Sequence, residues 1–174
     1  VTVVEYMPNI VPVEDEDVSK QLQRSFKKSG IKVMTNSSVE NVNVTDKGCE
    51  VLIKTKKGDE KINADVVLSA VGITANIENI GLEDVGIKTE NGKLVVDEFY
   101  NTNVPGYYAI GDLLPTQALA HVASAEGIVC VEKIAGENPE PIDYGNIPGC
   151  TYCSPEIASV GLTEAKAKEA GYEI

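Results

Sequence analysis

The sequence predicts an α/β chain, part of a doubly wound parallel sheet with a β-meander inserted into it. Three observations predict this. Val1–Val4 and Val66–Leu68 are short apolar runs without polar alternation, the pattern of strands buried on both faces. A helical pattern follows the first run, which gives the strand–helix order of a parallel unit. Two alternating runs, Val39–Val44 and Cys49–Thr55, flank Asp46-Lys47-Gly48 and read as an antiparallel hairpin.

Each element has its own justification. Val1–Val4 ends at Glu5, and Pro8 and Pro12 mark the loop beyond it. The helix is expected from Asp15 to Ser29, because Val18, Leu22 and Phe26 recur every four residues on one face. Glu14, Asp15, Glu16 and Asp17 crowd its start, Lys27 and Lys28 its last turn, and Gly30 stands where a left-handed C′ residue belongs. That acidic run is read as first-turn charge. Ile31–Met34 is the next strand. After the hairpin, Lys57-Gly58-Asp59 turns into a short strand near Lys61-Ile62, and Val66–Leu68 returns to a buried parallel strand.

Beyond residue 76 the pattern changes. Asn91-Gly92 is a tight-turn signal, with strands expected at Leu94–Val96 and Tyr107–Ile110. A helix is expected from Thr116 to Ala135, stopped by Gly136. Its inner positions Ala118, Ala120, Ala123, Ser124, Ala125 and Gly127 are small enough for close approach to a sheet or a flat ligand. Prolines break any periodicity between Glu137 and Pro148, which reads as a linker. A strand near Ile157–Val160 and a helix from Thr163 to Ala170 close the chain, with Thr163 as N-cap and Gly171 as the stop.

Composition narrows the function. Of 174 residues, 43% are apolar and 24% charged, a globular mix. The net charge of −12 opposes binding to phosphate backbones or anionic lipid, so no nucleic-acid or membrane partner is expected. Uncharged runs reach only about a dozen residues, short of a bilayer span. Cys49, Cys130, Cys150 and Cys153 are too few for a disulfide scaffold and fit a reducing, cytoplasmic setting. The chain opens inside an apolar run at Val1, without a basic-then-apolar leader, and is expected to be a piece of something longer.

A few residues stand where chemistry could occur. Glu5 ends the first strand, where an acid can accept hydrogen bonds from the ribose hydroxyls of a dinucleotide and repel a 2′-phosphate, which favours NAD; the plainer reading is a solvated strand end. No G-x-G-x-x-G occurs. Gly72 follows the strand at 66–68 and would let a ligand approach the backbone closely, or simply turn the chain. Asp112 sits between a strand end and a helix start. It can accept bonds from a chain of hydroxyls, beside a helix whose positive end suits a group that gains negative charge on reduction, or it can be an N-cap. His121 is the only histidine and lies inside the small-residue helix. Cys150-x-x-Cys153 has redox-like spacing but no helix start beside it to lower a thiol pKa. No metal site is expected.

Tyr107-Tyr108-Ala109-Ile110-Gly111-Asp112, then Leu119-Ala120-His121 and Glu126-Gly127, resembles the dihydrolipoamide dehydrogenases, pyridine nucleotide-disulfide oxidoreductases that use FAD and NAD. Pro155–Gly161 is similar to the opening strand of that family's interface domain. The resemblance covers the whole chain and implies three parts: 1–76 from the NAD-binding domain, 77–145 a central segment contacting FAD, and 146–174 the start of an α+β dimer-interface domain. It implies that Asp112 binds the FAD ribitol, that Leu119, Ala120 and His121 lie beside the isoalloxazine, and that Glu5 holds the NAD ribose. It implies a homodimeric parent docked to a 2-oxo acid dehydrogenase complex. The family's Cys-x4-Cys pair, its His–Glu pair and both glycine-rich phosphate loops do not occur in these residues, and Ile73-Thr74-Ala75-Asn76 stands where an arginine is common after Gly72. The isolated chain is therefore expected to lack turnover and to self-associate. A mercuric or glutathione reductase-like enzyme and a non-enzymatic dinucleotide-binding module are the alternatives.

Overall fold

In the computed structural model, which describes all 174 residues, β1 (Thr2–Val4) leads through α1 (Glu16–Lys28) to β2 (Lys32–Met34). The two strands pair in parallel, Val3 opposite Val33. α1 turns its Val18, Leu22 and Phe26 stripe inward, and Leu22 is buried with Ile10 and Ile157. At its end the Gly30 amide reaches the Lys27 carbonyl and the Ile31 amide the Phe26 carbonyl. Gly30 has φ +77, the left-handed conformation the C′ position demands. The first run is less enclosed than its composition suggests: Thr2–Val4 is half-buried and Val1 exposed, because the parallel sheet has only two strands.

The meander is fully formed. β3 (Ser38–Thr45), β4 (Gly48–Thr55) and β5 (Gly58–Ala64) make a three-stranded antiparallel sheet with β4 in the middle. β5 runs well beyond Lys61-Ile62, since every residue from Gly58 to Ala64 finds a partner on β4. Val51 and Ile53 are buried with Met34, which ties the meander to β2. The expected strand at Val66–Leu68 does not form. Val66 and Leu68 are 80% and 87% exposed. A strand buried on both faces needs ladder partners and cover, and neither β1 nor β2 pairs with this segment.

The chain divides into two compact units, Val1–Ala70 with Pro148–Ile174 and Val71–Ile147. In the second, a single helical turn, α2 (Leu82–Val85), precedes β6 (Thr89–Glu90) and β7 (Lys93–Leu94), which close around Asn91-Gly92. Both turn residues have positive φ, as a two-residue hairpin of this hand requires. β7 ends at Leu94 rather than Val96 because β6 offers only two partners. Tyr107–Ile110 is not a strand. It contributes one bridge, Asn101 to Tyr108, before Gly111 turns away with φ +74. The long helix, α3 (Ala120–Ile134), starts four residues later than the Thr116 expected. Leu114 and Leu119 are extended, and the Thr116 hydroxyl is drawn to a carboxylate on α3 itself. Leu94, Tyr100, Ala109, Leu114 and Cys130 form this unit's core. The 137–148 segment holds a short 3-10 turn at Tyr144–Asn146.

β8 (Gly149–Thr151), β9 (Ile157–Ser159) and α4 (Glu164–Glu169) return to the first unit. The Thr163 hydroxyl accepts the Lys166 amide as an N-cap. The acidic run before α1 does more than neutralise a dipole: Asp15 accepts the Glu164 amide at the start of α4, and Glu14 accepts the Ser159 hydroxyl. Cys150 lies on β8 and Cys153 beyond it, and all four thiols are free. No helix is long and apolar enough to cross a membrane.

Candidate functional site

Small residues decide how closely α3 meets the 3-10 turn Gly111–Leu113. Gly111 is buried, and a Cβ there would stand 3.2 Å from the Ala123 Cβ. A Cβ on Gly127 would stand 3.3 Å from the Ile110 Cδ1. The small positions thus serve a close backbone contact at Ala123 and Gly127, whereas Ala118, Ala120 and Ser124 face outward. The contact leaves Asp112 exposed at the rim of the turn, with its carbonyl accepting from Lys93 Nζ at 2.6 Å.

Behind the turn lies a group to which the sequence reading gave no role. Glu126 is fully buried. Its Oε2 accepts the Gly111 amide at 2.5 Å, and its Oε1 accepts the hydroxyls of Thr116 at 2.9 Å and Tyr144 at 2.7 Å. Tyr144 in turn shares a 3.0 Å bond with the Tyr100 hydroxyl. A carboxylate in an apolar core is costly unless its acceptors are filled, and here donors converge on both oxygens. Burial pushes the Tyr144 phenol well above the usual tyrosine range, and its bonds to Tyr100 and Glu126 push it further. Burial raises Tyr100 as well. Tyr100 adopts φ +69, unusual for an aromatic residue. Asp97 supports that conformation by accepting the Phe99 and Asn101 amides. Burial acts to raise the Asp97 carboxyl, but these bonds outweigh it and hold the group below its ordinary value.

One signal could have found Glu126. Val122, Glu126 and Cys130 are spaced by four and are the three buried residues of α3. An acid within such a stripe must be paired inside. Tyr144, Thr116 and Lys93 carry no such signature, since their partners are distant in sequence.

The remaining candidate residues fall as follows. Leu119 is the N-cap of α3 and offers no side-chain acceptor, and Ala120 and His121 are its first two residues. The helix start is thus uncapped by a side chain, with first-turn amides oriented away from the helix. Such a start can accommodate an electron-rich group, and the exposed Asp112 carboxylate can accept hydroxyls. His121 is exposed. Gly72 belongs to the same unit, exposed, with φ +131 and nothing within 4 Å of an added Cβ, so an approaching ligand meets bare backbone. Glu5 belongs to the other unit. Its backbone continues the β1–β2 pairing through a 2.8 Å bond to the Met34 carbonyl, and its Oε1 accepts the Met7 amide at 2.7 Å. Cys130 is buried, which raises its thiol pKa and keeps it unreactive.

A parallel strand–helix–strand unit carrying an antiparallel meander defines the class, a partial α/β nucleotide-binding architecture. The model of the pyridine nucleotide-disulphide oxidoreductase family matches residues 1–127, and that of its dimerisation domain matches 147–174. The chain belongs to this family. It is 50% identical over 176 residues to a dihydrolipoyl dehydrogenase of Rhizobium etli and 44% identical over 176 residues to that of Bacillus subtilis. Both matches cover 100% of the chain and 37% of the relative. Among solved structures, LpdA from Mycobacterium tuberculosis superimposes with a TM-score of 0.88 at 30% identity, over 98% of this chain and 37% of that one. The chain thus spans little more than a third of the length of the relatives it matches.

Proposed function

We propose that these residues work within an FAD- and NAD-dependent dihydrolipoamide dehydrogenase, oxidising dihydrolipoamide to lipoamide and reducing NAD⁺ to NADH. The observation that carries this reading is the close packing of the Gly111–Asp112 turn on α3 at Ala123 and Gly127, which leaves Asp112 exposed. The 50% identity to a dihydrolipoyl dehydrogenase along the whole chain supports it. FAD, when bound, supplies the two-electron chemistry between dithiol and nicotinamide. The chain's own residues bind and orient. Asp112 accepts hydroxyls of the ribitol. Leu119, Ala120 and His121 lie beside the ring, and the first-turn amides at Ala120 and His121 favour its negative charge. Glu5 accepts the NAD ribose hydroxyls and disfavours a 2′-phosphate. Gly72 admits the nicotinamide side without a side chain in the way.

The functional protein is proposed to be a cytoplasmic homodimer that joins a 2-oxo acid dehydrogenase complex, with residues 146–174 opening the interface domain. The isolated 174-residue chain is proposed to be inactive, because its four cysteines include no Cys-x4-Cys pair. The test is an NADH-formation assay on the full-length protein carrying this sequence. Dihydrolipoamide is offered first, with glutathione disulfide and mercuric ion tested separately against reduced nicotinamide. Turnover with dihydrolipoamide alone is expected. Preference for either of the others, or turnover by the 174-residue chain alone, would overturn the reading.

A further inference from the structure

The peptide that carries Asp112 is gripped from both ends by full charges. Glu126 Oε2 takes the Gly111 amide at 2.5 Å, and Lys93 Nζ donates to the Asp112 carbonyl at 2.6 Å. Hydrogen bonds to ionised groups are about twice as strong as neutral ones. Gly111 has φ +74, and its 3-10 turn is closed by a single backbone bond, from the Leu114 amide to the Gly111 carbonyl at 2.9 Å, so side-chain bonds have a large share in fixing where the turn points. The two oxygens of Glu126 divide the work. Oε1 holds Thr116 and Tyr144, which fasten the surrounding segments, and Oε2 serves only Gly111.

We propose that Glu126 and Lys93 are positioning residues that set the direction in which the Asp112 carboxylate leaves its turn, and so its reach to the hydroxyls of its ligand. The inference rests on the reading of Asp112 as a flavin ribitol acceptor. Neither residue touches the ligand; each acts through the Gly111–Asp112 backbone.

A double-mutant cycle tests this on the full-length protein carrying this sequence, with FAD as probe and flavin fluorescence as readout. Asp112→Asn is expected to weaken FAD binding about tenfold. Glu126→Gln, which preserves shape, is expected to weaken it by a similar factor alone, but by less than about threefold in the Asp112→Asn background, because coupled residues are not additive. Lys93→Met is expected to behave the same way with a smaller single effect. Tyr144→Phe removes a donor from Oε1 only, and is expected to lower the melting temperature while changing FAD affinity less than about twofold. Should Glu126→Gln fail to fold, the cycle with Lys93→Met decides the matter, since that side chain grips the same dipeptide from its more exposed side. Factors that multiply in the double variant would reduce Glu126 and Lys93 to general structural residues and overturn the inference. So would an unchanged affinity in both single variants. If Asp112→Asn alone left FAD binding intact, the flavin reading of Asp112 would fail first, and the inference with it.

Discussion

The meander and the α3 shell each bury a central residue, by opposite means. Ile53, fully buried on β4, is enclosed by apolar neighbours and paired on both sides, with Val39 of β3, next to a bulge at Glu40, and with Glu60 of β5. Glu126, equally buried, is a carboxylate whose surroundings are held by side-chain bonds reaching 10 to 18 residues along the chain. The second unit has almost no sheet, two strands of two residues each, and no ladder fixes the turn at Gly111. A satisfied buried carboxylate does so instead. Regular pairing tolerates many sequences, whereas a network of this kind requires every member.

Removing the centre of each region sharpens the contrast. Glu126→Ala leaves the Gly111 amide and two hydroxyls without their acceptor, and is expected to destabilise the second unit by about 3–5 kcal/mol. Amide hydrogen exchange should show that loss in residues 71–147 and not in the meander. Ile53→Ala creates an apolar cavity and is expected to cost about 2–4 kcal/mol, read as faster exchange across β3–β5. Equal spread of either effect over both units would break the comparison.

Alkaline pH provides a gentler probe. The Tyr144 phenol is raised in the folded state above its ordinary value of 10.0. A group with a raised folded pKa contributes its full stabilisation below the unfolded pKa and loses it as pH rises beyond that value. Stability of the second unit is therefore expected to fall above pH 10.0, and Tyr144→Phe to flatten that fall. The meander, residues 38–64, contains no tyrosine and serves as internal control. Urea titrations at successive pH values, read by amide signals from each region, check this.

Much of the first unit is legible in the sequence because its partners are close along the chain. Val18, Leu22 and Phe26 announce α1, Asp46-Lys47-Gly48 announces the hairpin, and Thr163 announces the α4 cap. Val66–Leu68 misleads for a physical reason: an apolar run states that a segment can be buried, not that an edge and a cover exist for it. The candidate site is legible in part. Gly111, Asp112 and the small face of α3 stand together in a short stretch, while Glu126 enters the sequence motif beside Gly127 and its buried role is signalled by its place in a buried stripe. Lys93 and Tyr144 meet their partners across 19 and 18 residues of sequence, and no local pattern encodes that.

Two smaller effects test the same lesson. Thr163→Ala removes the α4 cap and is expected to cost about 1 kcal/mol, measured by thermal melting. Leu68→Lys alters an apolar residue that has no cover, and is expected to change the stability of the chain by less than about 0.5 kcal/mol.

The central claim, that the turn at Gly111–Asp112 and the start of α3 form part of a flavin site, is tested most directly by mapping FAD onto the isotope-labelled 174-residue chain by amide chemical shifts. Such mapping detects weak binding as well as tight. The account predicts shifts concentrated at Gly111, Asp112 and Leu119 to His121, with the meander unmoved. Shifts confined to other residues, or none at those five positions with FAD raised to millimolar concentration, would contradict it.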